Sequence, residues 1–403
     1  MRWFGGVVLY IGLVLVGCGG DSADPVTDTG NANDTPTVED TTPPEDTAAP
    51  EDTTLPEDTA APEDTTLPED TPAPPDDLST RFAEGVMPPS LHMGGYIDSI
   101  FINKAGDRIY FIHSILSPSV LQAQATIEEC SHVEATQLPG HSTLPGFEWN
   151  TDIYYVEWDG AVWSEPINLG APINTLAMEC CMWLNDDETE IIFNTKSDLD
   201  GDGTDQDLEL HPTGNYRATR PDRDAPWNTP VPLPGSYGIE DQSESERHDI
   251  HKAPTGNLYL WETFDNGDML LRFGERTGGT YDDPVYAEPT TIAGSVNYET
   301  QIWANDAETR LVFNRRQLNG ESALYTRTRA TIDDQWGDPI QVSTTGFADS
   351  TGSSIWGEPT FDQSESYMIF IRFDSTDPVC LTPDIMFSPG TPSDGFDTPT
   401  VLN

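Results

Sequence analysis

Two sets of carboxylates in this 403-residue chain have the types and spacing for chemistry. The denser set is Asp198, Asp200, Asp202, Asp205, Asp207 and Glu209, interleaved with Gly201, Gly203, Thr204 and Gln206. Hard calcium takes about six to eight oxygen ligands, and alternating acids on a glycine-punctuated turn can point theirs at one centre. Calcium is therefore the expected cofactor, in a structural role. Its candidate ligands are Asp198, Asp200, Asp202, Thr204 and Gln206, with Asp207 or Glu209 closing the site. The second set is dispersed: Asp98, Glu179, Asp249 beside His248, Glu299 and Glu358. Each stands at the start of an apolar run. Carboxylates crowded together raise one another's pKa unless a cation joins them. If folding gathers these residues they are ligand-binding or catalytic candidates. If not, they cap backbone N–H groups between repeats.

A repeat is what would gather them. An aromatic residue three positions before a proline recurs as Trp163/Pro166, Trp227/Pro230, Tyr281/Pro284, Trp336/Pro339 and Phe396/Pro399, with prolines 64, 54, 55 and 60 residues apart. A period of this size indicates a solenoid, propeller or array. Apolar runs align as second strands: Arg108–Phe111, Glu190–Phe193, Asn257–Leu260, Arg310–Phe313 and Tyr367–Phe370. Nearly continuous apolar strands are buried on both faces. Third strands are expected from Asp152, Asp207, Asp268, Ser322 and Asp384. A lone four-stranded sheet with two apolar faces cannot stand in water, whereas five packed radially can. The predicted fold is all-β, a five-bladed β-propeller over 81–403, with blades at about 94–170, 176–234, 245–290, 297–343 and 356–403. In a propeller the first strand of each blade lines the central channel, so the dispersed acids are expected around one mouth. The long stretch from His113 to Asn150, with Cys130, His132, His141, Phe147 and Trp149, is expected to cover that mouth. His92, His113, His132 and His141 have no close ligand spacing, so zinc is not expected.

The phrases Asp152-Ile-Tyr-Tyr, Trp158-Asp-Gly, Trp163-Ser-Glu-Pro166-Ile-Asn-Leu and Glu358-Pro-Thr-Phe361 resemble the TolB-type, WD40-like propeller repeats of periplasmic proteins, over about 310 residues from Gly94 to the end. The calcium loop matches the EF-hand pattern, with acids at positions 1, 3, 5 and 12 and glycine at 6. Its flanks read as strands, so it is more similar to the hairpin calcium loops of integrin-type propellers. A second resemblance is to five-bladed arabinanases and xylosidases. It implies Asp98 as general base, Asp249 as the group tuning the acid and Glu299 as general acid. The residues flanking these positions do not match those families, and acids in every copy read as inheritance from duplication. A binding or scaffold module for a glycan, peptide or protein partner is therefore the preferred reading, and a glycoside hydrolase the alternative.

The N-terminus supplies an address. A single early charge, Arg2, precedes a short apolar run from Val7 to Val16, well under the ~20 residues that span a bilayer. These features describe a secretory signal, residues 1–17. Leu15-Val16-Gly17-Cys18 resembles the lipobox of bacterial lipoproteins, which implies cleavage before Cys18 and acylation of that residue. Several acyl chains give stable membrane anchoring. Gly19, where aspartate would retain the protein at the inner membrane, points to the outer membrane by the same analogy. Residues 21–80 have no Lys or Arg, and Glu-Asp-Thr-x-x-Pro runs six times from Glu39. Regular proline blocks helix and sheet and like charges repel, so residues 18–80 are read as a disordered tether. With 70 acids against 18 bases the chain repels nucleic acid, which is excluded as a partner. Cys130 and Cys380, on loops of blades that ring closure makes neighbours, are candidates for a disulfide. The propeller is expected to be a monomer.

Overall fold

The computed structural model describes residues 78–92, 95–116, 137–142, 150–196, 213–239, 245–264, 266–316, 322–342, 354–374 and 383–402. Cys18, the tether as far as residue 77, Cys130, Cys380 and the 198–209 loop lie outside them, and residues 78–80, read as the end of the tether, lie in a short helix, Leu78–Arg81. The described chain is an all-β, five-bladed propeller whose blades are antiparallel up-and-down sheets. Blade 1 holds β1 (Tyr96–Ile102), β2 (Arg108–Ser114), β3 (Asp152–Glu157) and β4 (Ile167–Asn168). Blade 2 holds β5 (Met178–Leu184), β6 (Glu190–Lys196), β7 (Gly214–Thr219) and β8 (Val231–Pro232). Its third strand starts at Gly214, seven residues beyond the expected Asp207. Blade 3 holds β9 (Ser245–Lys252), β10 (Leu258–Phe264) and β11 (Met269–Gly274), then a separate hairpin of β12 (Arg276–Gly279) and β13 (Pro284–Tyr286), then its outer strand β14 (Thr290–Thr291). Blade 4 is β15 (Glu299–Ala304), β16 (Arg310–Arg316), β17 (Ser322–Thr328) and β18 (Ile340–Gln341). Blade 5 is β19 (Ser354–Thr360), β20 (Tyr367–Asp374), β21 (Asp384–Thr391), β22 (Gly395–Phe396) and β23 (Thr400–Val401).

The second strands explain why the sheets must pack. Every residue of β2 and β6 is buried, because each face of the strand meets a neighbouring blade. Outer strands are two residues long, and a proline stands immediately before them: Pro166, Pro230, Pro339 and Pro399. Proline has no N–H for a ladder and suits the start of an edge strand. In blade 3 the outer strand follows Pro289, with Tyr286 three residues before it. The expected pair Tyr281/Pro284 is thus five residues out of register. It belongs to the inserted β12–β13 hairpin, which carries a second copy of the phrase.

Blades are joined by buried glutamates. Glu188 and Glu308 sit in the first hairpin turns of blades 2 and 4 with φ of 56° and 53°. Glu308 accepts from Tyr259 Oη at 2.7 Å and Asn257 Nδ2 at 3.0 Å of blade 3, and its carbonyl accepts from Arg329 Nε at 2.6 Å. Arg329 lies 4.2 Å over Trp336. Blades 1 and 2 repeat the set with Tyr110, Asn103, Glu188, Arg220 and Trp227. Trp227 and Trp336 are therefore the lids of two inter-blade ion networks. The ring closes with help from the segment before blade 1. Phe82 stacks on Phe387 with centroids 4.6 Å apart, and Gly85 and Met87 donate to the carbonyls of Val401 and Leu402 at 3.0 Å.

Candidate functional site

The inner strands share an irregularity that sets the chemistry of the channel. Each has a bulge, between Asp98/Phe101, Cys180/Trp183, His248/His251, Thr300/Trp303 and Gly357/Thr360. At each bulge one non-glycine residue adopts a left-handed backbone: Ser99 (φ 51°), Cys181 (59°), Asp249 (50°), Gln301 (55°) and Glu358 (54°). Such conformations are strained by roughly 1–3 kcal/mol each and persist only where surrounding structure enforces them. Here the register shift turns one residue per blade toward the axis, and these five line one cavity of about 50 Å³.

The shift also sorts the sequence-predicted acids, which do not occupy corresponding positions. Asp249 and Glu358 stand at the bulge. Asp98 stands one residue before it, in the same register as His248, Cys180, Thr300 and Gly357. Glu179 and Glu299 stand two residues before it. A one-residue change of register reverses the face a strand side chain occupies. The bulge suspends that alternation locally, so adjacent residues can face one space: Asp98, His248, Asp249 and Glu358 share a second, axial cavity of about 30 Å³ with Cys180 and Cys181. Glu179 and Glu299 do not line it. Glu299 is fully buried and accepts from Ser295 Oγ at 2.7 Å, Val296 N at 3.2 Å and Arg315 Nε at 2.9 Å. Glu179 is equally buried and accepts from the Thr175 hydroxyl. The grouping Asp98, Asp249, Glu299 implied by the hydrolase resemblance is thus not assembled. The trio on the axis is Asp98, Asp249 and Glu358.

Each member of this trio is held by donors. Glu358 accepts from the Ile100 amide of blade 1 at 2.8 Å and from Gln301 Nε2 of blade 4 at 3.4 Å, linking three blades. Asp98, 3% exposed, accepts from Tyr96 Oη, and Asp249 from Trp261 Nε1, on whose ring His248 stacks at 4.3 Å. Burial pushes the Asp98 carboxyl up to about 6, against the lowering effect of Tyr96 and Glu358. Burial, then the charges of Asp98 and Asp249, hold Glu358 well above the carboxylate range. Asp98 and Glu358 line the same cavity, and the charge of Asp98 favours a proton on Glu358. Burial also raises Asp249 and, with Asp98 nearby, Tyr96. Among the described residues no three His, Cys, Asp or Glu side chains form a group that could hold a metal ion. The calcium residues Asp198 to Glu209 lie outside the described residues, as do His132, Phe147 and Trp149 of the first long loop. His141 is described, with Nδ1 3.6 Å from Asp152 Oδ2.

The opposite mouth of the channel went unread in the sequence. Two or three residues further along the inner strands, Phe101, Trp183, His251 and Trp303 border a cavity of about 270 Å³, ringed by the turn residues Lys104, Asp186, Asp187 and Asp306. The signal was available: Ile100-Phe-Ile, Met182-Trp-Leu, Ile250-His-Lys and Ile302-Trp-Ala place one flat ring at the same position in four inner strands.

No family model matches the sequence, and no curated protein matches it. Solved structures do. TolB from Acinetobacter baumannii aligns at 10% identity and a TM-score of 0.35, over 76% of this chain and 57% of that one. The endo-arabinase of Bacteroides thetaiotaomicron aligns at 10% and 0.41, over 74% and 95%. The GH43 protein BlXynB from Bacillus licheniformis aligns at 12% and 0.44, over 77% and 55%. The chain thus spans little more than half the length of two of these three proteins. At such identities and scores the likenesses assign no role to any residue of this chain.

Proposed function

We propose that the chain is an envelope lipoprotein, anchored through Cys18, that presents its propeller on an acidic tether as a binding or scaffold module. A glycan, peptide or protein is its partner, and calcium in the 198–209 loop is a structural ion. The anchor and the ion rest on the sequence patterns above. Binding is preferred over hydrolysis on one observation. The three axial carboxyls enclose only about 30 Å³, and the adjoining cavity that Asp249 and Glu358 also line holds only about 50 Å³, space for a few water molecules and not for a sugar ring. A glycosidase needs its acid and base on either side of a bound sugar. The raised pKa of the Asp98–Glu358 pair is the one feature that favours the hydrolase, since an acid catalyst must hold its proton.

Incubating the full chain with arabino- and xylo-oligosaccharides, alongside a glycan array, separates the two. Retention without release of reducing sugar is expected. Hydrolysis abolished by Glu358→Gln overturns the binder. Incorporation of a clickable fatty acid, lost in Cys18→Ala, tests the anchor. Chelation should lower the unfolding midpoint of the parent and not that of an Asp200→Asn/Asp202→Asn variant, because an ion bound only to the folded state stabilises it by mass action.

A further inference from the structure

We infer that the aromatic mouth between Trp183, His251 and Trp303 is a carbohydrate site that takes one neutral pyranose ring. The inference rests on the binder reading and adds to it a place and a ligand class. Its volume, about 270 Å³, lies just below the ~300 Å³ at which sites for drug-sized ligands begin. One sugar ring fits and an enclosed oligosaccharide does not.

The polar group that points to a ligand is His251. It is 8% exposed, lines the cavity, and makes no hydrogen bond among the described residues. A buried polar side chain normally has a partner. Its imidazole stands edge-on to Trp183 at 6.0 Å and to Trp303 at 6.3 Å, so two aromatic walls fix the ring without using its nitrogens. Burial, and secondarily the charge of Lys104, lower its pKa to about 3. The ring is therefore neutral throughout the physiological range and offers one donor and one acceptor. A hydroxyl group, itself donor and acceptor, matches that pair.

Charge narrows the class. The Lys104 field that disfavours a proton on His251 also disfavours a cationic ligand at that depth. Asp186, Asp187 and Asp306 at the rim repel an anion, and the first of these is already pushed up by burial and by its two acidic neighbours. A neutral, hydroxyl-rich ring escapes both. It meets indole faces with its C–H groups, His251 at depth, and carboxylate acceptors and the Lys104 ammonium at the rim.

Titration of the full chain with methyl glycosides of glucose, galactose, mannose and xylose, followed by tryptophan emission and calorimetry, tests this. Choline and gluconate serve as charged probes. At least one glycoside should shift the emission, and His251→Leu should weaken its binding about tenfold, the loss of roughly one buried hydrogen bond. Asp306→Asn, at a partly exposed rim position where folding is insensitive, should weaken it several-fold and supplies the readout if His251→Leu does not fold. Glycoside binding unchanged in Asp306→Asn and in folded His251→Leu would move the site elsewhere. Choline or gluconate binding more tightly than every glycoside would overturn the neutral class, and no response to any glycoside at high millimolar concentration would overturn the carbohydrate. Each of those results leaves the binder reading standing. Release of sugar from oligosaccharides would remove that reading instead.

Discussion

At one end of the axial channel Asp98, Asp249 and Glu358 surround about 30 Å³, and at the other Trp183, His251 and Trp303 border about 270 Å³. The same inner strands build both, two or three residues apart. The carboxylate end draws most of its donors from within: Tyr96, Trp261, Gln301 and the Ile100 amide supply them, and Asp98 Oδ1 is left without one among the described residues. The aromatic end holds its rings by packing and leaves the His251 nitrogens to the cavity. A cluster of titratable groups can thus be the closed, structural end of a channel, while the less polar end keeps hydrogen-bonding capacity for something else. Perturbed pKa values alone would have ranked the two ends the other way round.

The largest effect expected from breaking this contrast lies at the aromatic end. Trp303, packed on Phe361 at 4.5 Å, belongs to the core as well as to the cavity wall. Trp303→Ala should destabilise the propeller by about 3–5 kcal/mol in a denaturant titration. A loss under about 1 kcal/mol would mean that the ring is not packed as described. At the carboxylate end the test is pH. Asp98 and Glu358 have raised pKa values, so the folded chain holds protons that the unfolded chain releases. Their contribution is fullest below the ordinary carboxylate range and is lost as pH rises through the raised values, from about 4 to 6 for Asp98 and further for Glu358. Tyr96, Asp249 and Cys181 line the same cavity and are raised as well, so none of these three opposes the sign. Glu246 moves oppositely: the Lys196 and His248 charges outweigh its burial and depress it to about 2, so its contribution disappears only in stronger acid. Stability should therefore fall between pH 5 and 7. Glu358→Gln should flatten that slope and raise stability at pH 7 relative to the parent. A slope unchanged in the variant would place the proton elsewhere. The smallest effect belongs to the rim pair Lys104–Asp306, whose side chains are 21% and 43% exposed. Lys104→Ala should alter stability by no more than about 0.5 kcal/mol, with a change that shrinks further in high salt. A larger loss would make the pair part of the scaffold and weaken its reading as a ligand-facing rim.

Much of the ring was legible in the chain. Aromatic-x-x-Pro phrases marked four of the five outer strands because a proline at the start of an edge strand, preceded by a packed aromatic ring, recurs in those blades, the ring lying under an arginine in blades 2 and 4. The fifth was misplaced because the β12–β13 hairpin duplicates the phrase locally. The acids were legible as residues and not as a site. Asp98, Glu299 and Glu358 look alike in a list of strand starts, yet they differ by one or two places relative to a bulge, and one place is the difference between the axis and a blade interface. Periodicity does not reveal a bulge when its residue is Ser, Cys, Asp, Gln or Glu and no glycine marks it. The neutral His251 was passed over because, among apolar and aromatic neighbours, it resembles a core residue.

The sequence by itself determined the number of blades, the buried second strands and the acidic character of the chain, because these follow from local pattern, period and charge. Only the tertiary structure decided which carboxylates meet, which are sealed by arginine or by backbone between blades, and that an aromatic cavity stands at the far end of the same strands. Those outcomes depend on register and ring closure, where a shift of one residue changes the face of a strand and its neighbours in space.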